Sequence, residues 1–137
     1  MAKMGVSISA YTFHTWAPDV HNWPESWMGV DEDLEYGRRM MPYFEGFLQS
    51  LYEEGIARKT FVLYRDNLWL LGGTIIKSVS IFDEYETEPL EAIHASVIGD
   101  GVLPDDCHLM EEDELKSFVR MCRRFEKFLD QNYGAML

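Results

Sequence analysis

Cationic side chains are missing from a long stretch of this chain. Between Lys77 and Lys116 there are twelve Asp or Glu and neither Lys nor Arg, while the remaining residues hold twelve acids and twelve bases. The formal net charge of −12 therefore resides in one sector. A balance of that sign opposes non-specific binding to nucleic-acid phosphates and adsorption on anionic membranes. Cysteine is scarce as well. Cys107 and Cys122 are too few for the disulfide framework of a small secreted domain. Cys122 falls on the apolar side of a predicted helix and reads as a small buried hydrophobe. Long hydrophobic runs are also lacking: none approaches the roughly 18 apolar residues of a membrane span. The N-terminal MGVSISAYTFHTW has no continuous apolar stretch of the kind a signal peptide carries. The expectation is a soluble, cytoplasmic protein.

Catalytic signatures are equally sparse. No serine or cysteine stands in a G-x-S-x-G elbow. The histidines are His14, His21, His94 and His108, and the adjacency of Cys107 and His108 does not by itself supply thiolate–imidazole geometry. Cys107, His108 and Cys122 lack the paired spacing of a zinc site. Asp83, Glu84, Glu86, Glu88 and Glu91 lack the order of a calcium loop, and no Gly-Lys-Ser/Thr follows Gly72-Gly73. The sequence thus points away from an enzyme and names no cofactor and no metal.

What is present is a rich core. Apolar residues make up 47% of the chain and aromatics 14%, enough for one folded domain at this length. The expected fold is all-α, a compact bundle of about four helices spanning 31–54, 57–80, 89–98 and 111–132. Residues 31–137 form that helical domain. Residues 1–30 form an irregular aromatic arm packed on it, with a short strand at 6–10, where VSISA alternates. Asp31 or Asp33 caps the first helix. Pro42 predicts a kink or a split inside it, and Gly55 a stop. Gly72-Gly73 costs the second helix stability unless another backbone passes close or the helix breaks there. Pro89 opens the third helix.

Two charged territories and the arm supply the candidate binding residues. The acidic linker offers Asp83, Glu84, Glu86 and Glu88, and the arm offers Trp16, Trp23 and Trp27 as apolar anchors for a protein partner, basic in character. An opposing reading takes Arg58, Lys59 and Arg65 with the stripe Lys116, Arg120, Arg123, Arg124 and Lys127 on the last helix. These are the cations of a DNA-binding accessory protein of a mobile element. The stripe is also explained by folding back on the acidic sector and neutralising it. A third reading is an acidic inhibitor that imitates nucleic acid.

The stretch from Pro42 to Ile76 contains Phe44, Phe47-Leu48, Leu51, Gly55-Ile56-Ala57-Arg58-Lys59-Thr60, Tyr64-Arg65 and Asn67-Leu68-Trp69-Leu70-Leu71-Gly72-Gly73. It resembles a family of short uncharacterised bacterial proteins with a KT…YRxNLWLLGG helix pattern, although Ala57 replaces the serine usual in that turn. Phe118, Cys122-Arg123-Arg124 and Phe128-Leu129 extend the resemblance, which implies membership and no particular activity. A looser similarity runs to the SAM-like core-binding domain of tyrosine recombinases. It would imply DNA contact, without the recombinase catalytic residues.

Overall fold

The computed structural model describes residues 12–99 and 109–137, and the 6–10 strand, Cys107 and His108 lie outside these. Five helices follow in order: α1 (Trp23–Trp27), α2 (Asp31–Glu53), α3 (Arg58–Phe82), α4 (Pro89–Val97) and α5 (Glu112–Tyr133). Short 3-10 turns occupy Phe13–Trp16, Val20–Asn22 and Gly134–Met136, and there is no strand among the described residues. The all-α expectation holds, with boundaries within two residues of those read from periodicity.

Helices α2, α3, α5 and α4 surround one core. Phe44 and Phe47 of α2 meet Phe125 of α5 at ring separations of 5.5 and 4.7 Å. Leu68, Leu71, Ile75 and Ile76 of α3, Ile93 and Val97 of α4, and Phe118, Met121 and Leu129 of α5 complete it. Spacing of three and four residues put these side chains on one face of each helix, and burial of that face rather than local propensity holds the helices in place. Residues 12–30 share the same core: Phe13, Ala17, Val20 and Trp23 are buried in it.

Two details narrow the expectation. Helix α2 continues through Pro42 without splitting. Pro42 faces solvent, so the carbonyl of Arg38, deprived of its amide donor, turns to water instead of lying orphaned in the core. The N-cap of α2 is Val30, whose side chain has no oxygen to offer. The carboxylate of Asp33 does the capping from the third helical position. It accepts the amides of Gly29 at 2.8 Å and Val30 at 3.1 Å, the half of a capping box that reaches backwards.

The Gly72-Gly73 pair has a side-chain explanation. Among the described residues the nearest atoms to that site belong not to a second backbone but to the indole of Trp27, which fills the notch. On its other side, α1 presses Pro24 against Gly37 of α2, where a Cβ would meet Pro24 Cβ at 3.2 Å. The short helix α1 is thus wedged between glycine surfaces of α2 and α3. Trp27 donates Nε1–H to the Trp69 carbonyl at 3.0 Å. Trp69 Nε1–H in turn donates to Ser26 Oγ at 2.8 Å, and that hydroxyl donates to the Trp23 carbonyl at 2.6 Å. Large rings with a polar edge commonly satisfy that edge in this way when packed.

Candidate functional site

The turn joining α3 to α4 carries the exposed acids Asp83, Glu84, Glu86 and Glu88, and Glu91 follows in α4. Its shape begins with the end of α3. Asp83 adopts the left-handed conformation, φ 53°, and the Glu84 amide returns to the Val79 carbonyl at 2.9 Å, which is the six-to-one bond of a Schellman ending. The turn is then tied down by its tyrosine and threonine. Tyr85 donates its hydroxyl to Asp33 Oδ1 at 2.6 Å, and Tyr36 of α2 donates to the Thr87 carbonyl at 2.7 Å. Thr87 N–H bonds to the Glu84 carbonyl at 3.0 Å. The two tyrosine rings meet edge-on, 6.2 Å apart.

Asp33 is the hub of this tie and is buried. Burial alone would raise its pKa, but hydrogen bonds from Tyr85, the Gly29 and Val30 amides and Ser80 outweigh that and hold the carboxyl below its ordinary value. Burial pushes the Tyr36 hydroxyl up to about 12, and the bond to Asp33 raises Tyr85. Both phenols are therefore donors at neutral pH. The acids themselves point outward; Glu88 meets Arg39 at 3.4 Å, an exposed pair of small energetic value. Beside them Ile81 is 64% and Phe82 68% exposed. These two residues end α3 and were not among the sequence candidates. Their signal was the loss of helical period after Val79, where apolar residues continue past the buried stripe.

The arm tryptophans are not surface anchors. Trp23 is buried, Trp27 fills the glycine notch, and Trp16 packs edge-on against Tyr52 and Phe61 at 4.9 and 5.4 Å. Arg58 lies over the Trp16 ring at 5.9 Å, and Arg65 donates to the Trp16 carbonyl at 2.9 Å. These rings had the composition of an interface; the chain's own helices supply the second surface.

The basic stripe is also largely committed, though not to the acidic turn. Arg123 donates to the carbonyls of Val97 and Gly99, closing the end of α4, and pairs with Glu126 at 3.3 Å. Arg124 holds both carboxylate oxygens of Glu54 at 2.7 and 2.8 Å and lies 5.6 Å over the Tyr64 ring. Lys116 pairs with Glu112 one turn back at 3.1 Å, the one ion pair between the stripe and an acid of that sector among the described residues. Among the described residues the stripe does not fold back on the acids of the turn: Arg123 closes the end of α4 and Arg124 holds Glu54. Lys59, Arg120 and Lys127 are exposed.

A groove of about 1110 Å³ runs along the outer seam of α3 and α5, between Leu63, Trp69 and Leu70 on one side and Met110, Ser117 and Arg120 on the other. Among the described residues that line it there is neither a histidine nor a cysteine. Cys122 is buried in the core, and burial pushes its thiol up to about 11, so it is a packing residue and not a thiolate nucleophile. Among the described residues no three His, Cys, Asp or Glu side chains are grouped to hold a metal, and no helix is long and apolar enough to cross a membrane.

No protein-family model matches the chain, and no curated protein or solved structure matches it.

Proposed function

We propose that the protein is a non-enzymatic interaction module that presents the turn at residues 83–88 to a basic protein partner. The observation that supports this is the separation of roles within the turn. Backbone bonds and two tyrosine hydroxyls fix its shape from beneath, leaving Asp83, Glu84, Glu86 and Glu88 exposed around the apolar pair Ile81 and Phe82. A preorganised surface loses little conformational freedom on binding. Its acids speed encounter with a cationic partner, and the apolar pair supplies the contact that slows release. The nucleic-acid alternative has less support, because Arg65, Arg123 and Arg124 are already bound within the chain.

The test is a photo-crosslinking residue at position 82 of the full chain, expressed in its source cells, with the joined peptide sequenced. A lysine- or arginine-rich segment joined at position 82, and lost when Glu84, Glu86 and Glu88 are replaced by lysine, is the expected result. Labelling at position 82 that matches labelling at position 59 in amount and identity overturns the proposal.

A further inference from the structure

The groove between α3 and α5 is a second surface, separate from the acidic turn. Asn67 Nδ2–H donates to Ser117 Oγ at 2.9 Å, and Tyr64 lies beneath Arg124. Residues lower in number on α3 therefore face residues higher in number on α5, and the two helices run antiparallel. Leu63 and Arg120 stand toward one end of the seam, with Leu70, Met110 and Asp113 toward the other. Leu63 is 51% and Trp69 40% exposed, so apolar surface lies open along the groove. On its far flank, Leu115 and Val119 line a shallow hollow that also includes Lys116 and Arg120.

Arg120 belongs to both depressions. The other six arginines each make an ion pair, a hydrogen bond or a ring contact: Arg38 with Glu25, Arg39 with Glu88, Arg58 with Trp16, Arg65 with Asp66, Arg123 with Val97, and Arg124 with Glu54. Among the described residues Arg120 makes none. An arginine with no partner among the described residues, at the edge of exposed apolar surface, is one of the residue types enriched among interface anchors. At about 1110 Å³ the groove stands at the upper end of small-molecule sites, and it is open along its length. An antiparallel helix pair with an open apolar seam has the shape that receives a third helix.

We infer that the α3–α5 groove receives an amphipathic helix of a partner protein, its apolar stripe on Leu63, Trp69 and Leu70 and an acidic side chain on Arg120. Arg120 takes the carboxylate of that helix. Such a helix would engage this face while the acidic turn stays open, making the protein a bridge between two partners.

The experiment is selection of short peptides from a displayed random library on the full-length protein, followed by affinity measurement of the enriched peptides. The expected winners repeat apolar residues at helical spacing and carry an Asp or Glu. Arg120→Glu and, separately, Leu63→Ser each weaken them about tenfold. Arg38→Glu and Glu84→Lys leave them unchanged. Circular dichroism of each variant confirms that these exposed substitutions keep the helices. The inference is overturned if selection does no better on the native protein than on the Leu63→Ser/Arg120→Glu double variant. It is equally overturned if the enriched peptides lack an acid or are indifferent to Arg120→Glu.

Discussion

The indole of Trp27 occupies the space that a side chain on Gly72 would need. A Cβ on Gly72 would overlap the six-membered ring, whereas one on Gly73 would stand 3.3 Å from Cδ1. The same ring meets Phe44 edge-on at 5.8 Å. One residue of α3 thus decides whether α1 can seat against both α2 and α3.

Gly72→Ala should destabilise the fold by about 1–3 kcal/mol, because overpacking exceeds the ~1 kcal/mol that alanine contributes inside a helix. Gly73→Ala should cost less. Urea unfolding followed by tryptophan fluorescence reads both. A Gly72→Ala protein as stable as the native one, with an unshifted emission maximum, would contradict the wedge.

Removing the Asp33 carboxylate should loosen both the start of α2 and the acidic turn. Asp33→Ala strands the Gly29 and Val30 amides and the Tyr85 hydroxyl, with an expected loss of about 2 kcal/mol. Because the folded-state pKa of Asp33 is lowered, its stabilisation is complete above the unfolded value near 3.8. It disappears as pH falls through the lower folded value. Denaturant melts between pH 2 and 5, compared on native and Asp33→Asn proteins, measure this contribution.

Glu45 should give the opposite slope. It is buried on α2, and burial pushes its carboxyl up to about 7 from 4.5. The folded state holds that proton more tightly than the unfolded chain. Stability from Glu45 is therefore greatest below pH 4.5 and is lost as pH rises through about 7. Glu45→Gln should raise stability at pH 8 by on the order of 1–3 kcal/mol and flatten the profile across that window. Equal slopes for the two proteins between pH 5 and 8 would exclude this role for Glu45.

Asp83→Gly should stabilise the chain by about 1 kcal/mol, since glycine accepts the left-handed backbone that ends α3 without steric cost. Asp83→Asn should stay close to the native stability. Thermal melts of the three proteins at high salt separate this backbone effect from the change in charge.

Helical periodicity made α2, α3, α4 and α5 legible because each buries one face. Phe44, Phe47, Leu68, Leu71, Phe118 and Phe125 recur at the spacing their burial requires. Packing of the arm on the helices was legible from its aromatic content, but the individual seats of Trp16, Trp23 and Trp27 were not, because each is set by residues distant in sequence. The two glycines carried half of that message, since their notch implies an insert. They do not distinguish a backbone from an indole 45 residues away in the sequence. Charge segregation was plain in the sequence, and the acidic turn emerged where expected. Its supports were hidden because Asp33 and Tyr85, or Tyr36 and Thr87, meet only after α2 and α3 have packed. Arg123 and Arg124 looked like one cationic stripe, yet their guanidinium groups reach opposite neighbours.

Two phenol groups anchor the α3–α4 turn, and the carboxylates it displays take no part in that anchoring apart from one exposed ion pair. The number and sign of those charges can therefore change by single substitutions while the scaffold stays intact. Across variants of this protein, the charge displayed at that corner can be altered independently of foldability.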